Sequence, residues 1–378
     1  MGSEKITIVG GGLIGAAIAY GAAKSGLQVR VLDQGDVAFR ASRGNFGLVW
    51  VQSKGEYSPQ YARWTRDAAQ LWPAFHRDLL DVTGIDTGLQ QTGGFWLGFT
   101  EKQVEDQAAL LARIDREAGG IPFKMMEPAE LKEYLPGLGP KVVGGSYCPL
   151  DGHANPLLLL RALHTALKQF GADIVTGIDV ADIRYDSAVG QFEAIASDGQ
   201  RWKSDRLVLA AGIGNARLAP QLGLLAPVET TRGQLLITER LKPFLHYPMN
   251  GLRQTNEGTV QIGSSTEDVG LDDRTTPDQI RAIAQRAVDK FPALARARMV
   301  RAWGALRVLT PDGYPIYDAS TTCPGAYVAT SHSGVTLAAA HSSVIAPWMC
   351  GLAQASLDLD VFKGDRFADP NKRFIREH

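Results

Sequence analysis

Cysteine is scarce in this chain: Cys148, Cys323 and Cys350 are the only three in 378 residues. The number is odd and no Cys-x-x-Cys pair occurs, which argues against a disulfide framework or a zinc site and fits a reducing cytoplasm. An excess of one charge is also lacking, with 39 basic against 40 acidic side chains and a net charge of −1. That balance gives no electrostatic reason to expect nucleic acid or an anionic membrane as partner. The start, Met1-Gly2-Ser3-Glu4-Lys5-Ile6, has neither the basic stretch nor the cleavage site of a signal peptide, and Ile6 breaks the myristoylation pattern. No apolar run is long enough to span a bilayer. The most apolar late stretch, 334–352, is interrupted by His341 and Pro347 and reads as a buried helix followed by a stop. Internal repeats and low-complexity tracts are absent. The expectation is a cytoplasmic protein with no integral membrane segment, peripheral contact with the inner membrane being left open.

What is present begins at once. Lys5-Ile6-Thr7-Ile8-Val9 is a short β-branched run typical of a buried parallel strand. It leads into Gly10-Gly11-Gly12-Leu13-Ile14-Gly15, then an alanine-rich helix ending near Gly26, then a second strand, Gln28 to Leu32, that ends on Asp33. In this context Gly-x-Gly-x-x-Gly has a physical reading beyond a glycine-rich turn. Gly10 permits the tight strand-to-helix turn, Gly12 lets a pyrophosphate approach the backbone, and Gly15 allows the helix to pack close to the strand. The exposed amides at the helix start favour phosphate. Asp33 is placed to accept from ribose hydroxyls and disfavours a 2′-phosphate, and Gln34 follows it. These residues leave FAD and NAD both open.

Further segments carry a resemblance. They are Ala41-Ser42-Arg43-Gly44-Asn45-Phe46-Gly47, Leu207 to Gly212, Gly304 to Gly313 (Gly-Ala-Leu-Arg-Val-Leu-Thr-Pro-Asp-Gly), and Ser331-His332-Ser333-Gly334-Val335-Thr336-Leu337. In this order they resemble the D-amino-acid oxidase (DAO) superfamily of FAD enzymes across nearly the whole chain. The run Ser42 to Gln52 resembles most the FAD subunits of D-hydroxyproline dehydrogenases, within a group that includes opine dehydrogenases and hydrogen cyanide synthase. The resemblance implies an α/β fold. A Rossmann-like FAD domain of glutathione-reductase type would gather residues 1–50, 140–225 and 315–378, and an interleaved α+β substrate domain would hold 51–139 and 226–314. Two domains also suit the length. Independently, 156–170 reads as a helix with Pro156 at its start, 173–175, 181–185 and 192–196 as strands, and 101–117 and 276–291 as amphipathic helices.

The resemblance also implies site residues. FAD would be held by Gly10, Gly12, Leu13, Ile14, Gly15, Asp33, Gln34, Ser42, Arg43, Asn45, Gly47, Leu48, Val180, Ala211, Gly212, Arg307, Ser333, Gly334, Val335 and Thr336. Arg307 would clamp the substrate carboxylate, which suits a planar, permanently charged fork better than it suits a surface ion pair. The Gly334 carbonyl would accept from the substrate nitrogen, and His332 would stand beside the flavin as a positional residue. Thr336 would open and cap a helix aimed at the ring. Trp50, Gln52 and Tyr57 would line the substrate pocket, or else form a packing cluster. His153 reads as structural. No cysteine stands beside Arg307, so the FAD is expected to be non-covalent. Gln261 occupies the place where relatives use a lysine to promote the reaction with oxygen, which favours a dehydrogenase. The expected reaction is oxidation of the C–N bond of a small D-amino or imino acid, a D-proline type such as cis-4-hydroxy-D-proline first. The electrons would go to a quinone, a dye or a carrier protein. The alternatives are the FAD subunit of an opine or glycine dehydrogenase with small partner subunits, an oxidase, a flavin monooxygenase (for which a second dinucleotide motif is missing), and a flavin-binding structural subunit.

Overall fold

The computed structural model describes residues 4–35, 41–354 and 359–376. Its first strand, β1 (Lys5–Val9), is buried except at Lys5 and pairs in parallel with β2 (Gln28–Asp33) on one side and with Arg206–Leu209 on the other. Extension by Asp173–Thr176 and Ala326–Thr330, both parallel, and by the antiparallel edge strand Ile316–Ala319 makes a six-stranded sheet. Parallel strands of this kind must be covered on both faces, which is why the central ones, β1 and Arg206–Leu209, are apolar and buried over most of their length.

The helix α1 (Leu13–Lys24) joins β1 to β2 and is apolar around nearly its whole circumference, so it is a fully buried helix and not a surface one. Its small residues allow close packing. A Cβ on Gly21 would lie 2.1 Å from the Ser342 carbonyl oxygen, so the last helix of the chain could not approach a larger residue there. That last helix differs from the expected helix-then-stop. Ala338–Ala340, a π turn at His341–Ile345 and Ala346–Met349 run on as one rod, with Pro347 in the first turn of the final piece. The π turn just before it breaks the regular hydrogen-bond ladder at the point where Pro347 has no N–H to give. His341 is wholly buried and its Nε2 pairs with the Tyr317 hydroxyl at 2.8 Å.

A second, antiparallel sheet runs in the order Leu252–Gln254, Thr259–Gly263, Glu229–Arg240, Met299–Leu309. A three-stranded sheet of Gly94–Gly98, Gly144–Cys148 and Lys124–Met126 lies next to it, tied by the Phe95–Met249 bridge. Residues 144–148, which the sequence grouped with 140–225, therefore pair with strands from 94–126 and not with the parallel sheet. Register decides which side chains face the cofactor loops. Thr231 lies opposite Arg307, Gly233 opposite Ala305 and Leu235 opposite Trp303, so alternate residues of both long strands share one face. The helices Pro156–Gln169, Glu101–Ala118 and Pro277–Lys290 fall where the sequence pattern placed them. Among the described residues no helix is long and apolar enough to cross a membrane.

Candidate active site

The turn from β1 into α1 has no room for side chains. Gly10 has φ +106°, and a Cβ there would sit 2.3 Å from the Ala210 carbonyl oxygen. On Gly15 it would lie 1.9 Å from the Gly10 carbonyl oxygen, and on Gly12 it would meet the Ser42 hydroxyl at 2.8 Å. That hydroxyl accepts from Leu13 N at 3.0 Å, so the loop after residue 40 closes over the helix start. Asp33 ends β2 with one carboxylate oxygen accepting from Gly11 N (2.7 Å) and the other from Gly35 N (2.8 Å). Bare backbone at a helix start, an acid fixed beside it and an open path from there fit the phosphates and ribose of a dinucleotide.

The path is a cavity of about 760 Å³. Its wall is made by Gly12, Leu13 and Ile14, by Ser42, Gly44, Asn45 and Phe46, and by Ser331 to Thr336. Trp50, Trp96, Asn250 and Arg307 line it as well. Thr336 does not cap the following helix as expected. Its hydroxyl accepts from Trp50 N (3.1 Å) and donates to Leu48 O (3.3 Å), which fixes the strand carrying Trp50. Ser333 accepts from the Tyr61 hydroxyl at 2.7 Å, and Trp72 Nε1 donates to Val335 O and Thr336 O, so the loop beneath the cavity is pinned from behind.

Arg307 is half-buried in the wall. Its Nη2 donates to Ser264 Oγ (2.5 Å) and Ser265 O (2.7 Å), and its Nη1 to Thr266 Oγ1 (3.3 Å). All three acceptors are neutral, and burial draws the guanidinium's pKa below its ordinary value. Among the described residues no carboxylate offsets this charge. Asn250 is held by Leu97, whose N–H donates to its Oδ1 at 3.0 Å, and by the buried Lys290, which donates to the same oxygen at 2.9 Å. Burial, with Arg286 adding to it, lowers the Lys290 amine to about 7.

Several expected residues lie elsewhere. Gln52 is wholly buried behind the wall, not in it. Its amide donates to Asp151 Oδ2 (2.6 Å) and Gly94 O (3.2 Å) and accepts from Ser146 Oγ (2.6 Å), which leaves nothing for a substrate. Tyr57 is half exposed outside the cavity, with the Arg113 guanidinium 4.9 Å from its ring centre. Val180 is buried against Val9 and Leu32, and its carbonyl accepts from Arg217 Nη2 at 2.7 Å. Arg43 and Gln34 are exposed. Gly10, Gly15, Asp33, Gly47 and Ala211 support the wall without lining it, whereas Leu48, Gly212, His332, Gly334 and Val335 line it.

Sequence reasoning missed Gly233, Trp96, Asn250, Ser264 and Thr266. Gly233 had a signal, because a glycine inside an alternating strand marks a close approach. A Cβ there would lie 2.5 Å from Arg307 Nη2. The others arrive from separate loops and strands, and nothing local marks them.

Comparison with known proteins agrees with this geometry. The family model described as FAD dependent oxidoreductase (DAO) matches residues 5–348. The chain is 42% identical over 364 residues to a protein named as an opine oxidase subunit from Agrobacterium tumefaciens (strain Ach5), covering 96% of this chain and 97% of that one. The crystal structure of glycine oxidase from Geobacillus kaustophilus superposes with a TM-score of 0.87 at 27% identity, over 96% of this chain and 98% of the other. The fold is also that of an L-proline dehydrogenase from P. horikoshii, TM-score 0.83 at 21% identity, over 98% and 99% of the two chains. With the glycine cradle, the fixed acid and the cavity in place, the chain belongs to the DAO family of FAD-dependent oxidoreductases, and it is a flavoenzyme.

Proposed function

We propose that this enzyme oxidises the C–N bond of a small amino or imino acid to the imine, with a D-proline-type imino acid as first choice. The observation that carries the reading is Arg307, a charge-uncompensated guanidinium in the cavity wall, facing a compartment that also holds Trp50 and Trp96. A carboxylate is the ligand that such a fork takes best. The glycine cradle and the loops lining the cavity would hold FAD, which would supply a hydride acceptor for the carbon beside the nitrogen, and the nitrogen's proton would leave to solvent.

The chain's own part is binding and orientation. Arg307 anchors the carboxylate, the Gly334 carbonyl accepts from the substrate nitrogen, and the indoles of Trp50 and Trp96 exclude water around the ring or side chain. His332 packs at the same wall as a positional residue. No side chain need remove the α-proton, because hydride transfer requires only a neutral amine. Residues 1–50, 315–378 and the part of 140–225 that follows the strand 144–148 act as the cofactor domain in this reading, with the antiparallel sheets supplying the substrate side. The electron acceptor is a quinone, a dye or a carrier protein, and small partner subunits relay electrons onward without being needed for reduction of a dye.

A second reading has its own support. The relative at 42% identity is named an opine oxidase subunit, and an opine, as an N-carboxyalkyl amino acid, also presents a secondary amine next to a carboxylate. Dye reduction by the purified chain, across D- and L-proline, cis-4-hydroxy-D-proline, glycine, sarcosine and opines, separates the two. Turnover best with the D-imino acids supports the first reading. Turnover with opines alone supports the second, and turnover with none of them refutes both.

A further inference from the structure

The sheet face turned to the cofactor loops carries the guanidinium groups of Arg253, Arg301 and Arg307; of these Arg307 lines the cavity, Arg301 is exposed and Arg253 is buried. Arg253 pairs across strands with Gln261, and Gln261 with Ile237, so both share the face that presents Gly233, Leu235 and Arg307. Arg253 is 3% exposed and sits beneath the loop 44–47. Its Nε donates to Phe46 O at 2.5 Å, Nη2 to Gln261 Oε1 at 2.5 Å, and Nη1 to His153 Nδ1 at 3.3 Å. Gln261 passes the contact on, its Nε2 donating to Asn45 O at 3.4 Å. Gly47 has φ +93°, and a Cβ there would be 3.1 Å from Nη2, so the loop lies as close to this charge as a bare backbone can.

Every acceptor in the cluster is neutral. Burial, followed by the charge of Arg253 itself, pushes His153 down to about 3, so the imidazole carries no proton to spare and its Nδ1 is free to accept. Among the described residues, the carboxylate whose field reaches Arg253 is Glu257, exposed on the same hairpin and not bonded to it. A buried guanidinium without a carboxylate is costly, and a structure retains one where something else uses the charge. Phe46 and Asn45, the two residues it holds directly and through Gln261, are cavity wall. In a water-poor interior its field is screened far less than at a surface.

We infer that Arg253 is a resident positive charge for the cofactor, holding loop 44–47 in place and stabilising the negative charge the flavin gains on two-electron reduction. The proposal rests on the FAD assignment and not on the substrate. It is tested without substrate, so a failure of the carboxylate reading leaves it standing.

The experiment is the midpoint potential of the holoenzyme by dye equilibration, with FAD affinity measured alongside. Arg253→Met should lower the potential by about 30 mV or more, tenfold in a two-electron equilibrium. Arg253→Lys should lose less than half of that. Gln261→Leu, which cuts the Asn45 contact but keeps the charge, separates loop placement from electrostatics and should weaken FAD binding with little change in potential. Should Arg253→Met purify without FAD, His153→Glu provides the same test, because a carboxylate beside Arg253 cancels the charge and should also lower the potential. An unchanged potential in an FAD-loaded Arg253→Met or His153→Glu protein overturns the proposal. So does an equal drop in Gln261→Leu.

Discussion

Replacing Arg307 with alanine tests the substrate side of the site most directly. The guanidinium is held by two hydroxyls and a carbonyl, so its removal breaks no ion pair within the protein and leaves no orphaned carboxylate. The loss falls on the ligand. Truncating one partner of a buried charge pair costs about 2–5 kcal/mol. Here the Ser264 and Thr266 hydroxyls stay behind as partial donors, so the lower part of that range applies, about 2–3 kcal/mol or roughly thirty- to 150-fold in kcat/KM. Arg307→Lys should recover only part of it, since an ammonium cannot reproduce the fork. FAD content should match the parent, because the hydrogen bonds of Arg307 go to Ser264, Ser265 and Thr266 and none goes to the glycine cradle. The assay compares dye reduction by an amino acid with that by its decarboxylated amine. The parent should prefer the acid, and the alanine variant should lose most of the preference. A variant that keeps the discrimination, or that purifies without flavin, would show that Arg307 serves the fold and not the substrate.

Gly233→Ala places a methyl 2.5 Å from Arg307 Nη2, and the flexible guanidinium must move away. KM should rise about five- to 150-fold, for an overpacking cost of about 1–3 kcal/mol, with FAD retained; an unchanged KM would mean the guanidinium's position does not matter. Among the described residues no cysteine lines the cavity, so acid precipitation should release FAD into the supernatant. Yellow colour left on the pellet would contradict this. Asp151 is wholly buried, and burial outweighs its hydrogen bonds from Val51 and Gln52 to raise its pKa to about 8. The folded chain therefore keeps a proton that the unfolded chain releases, so Asp151 favours folding fully below its ordinary value of 3.8 and loses that contribution as pH rises through about 8. Asp151→Asn has no such loss. Its melting temperature relative to the parent should climb from pH 5 to pH 8 and then level off, whereas a pH-independent gap would mean that Asp151 is charged throughout.

The sequence by itself settled what depends on neighbours along the chain. Strand, glycine turn, helix, strand and terminal Asp33 are consecutive, so this unit and its bare turn were legible before any fold was known. The same locality located the amphipathic helices, whose period is written in the residues themselves. The tertiary structure decided the rest. Gln52 and Trp50 are two residues apart, and only the packing of Asp151, Gly94 and Ser146 shows that Trp50 faces the cavity while Gln52 is spent behind it. Thr336 could have capped its own helix, but the strand carrying Trp50 comes close enough to take the hydroxyl instead. Trp96 and Asn250 meet at the cavity because Phe95 bridges Met249 across more than a hundred residues of intervening chain, a pairing no local pattern encodes. Gln261 read as the absence of a positive charge. Cross-strand register put Arg253 against it, because a residue's electrostatic surroundings are set by what folds beside it and not by what precedes it.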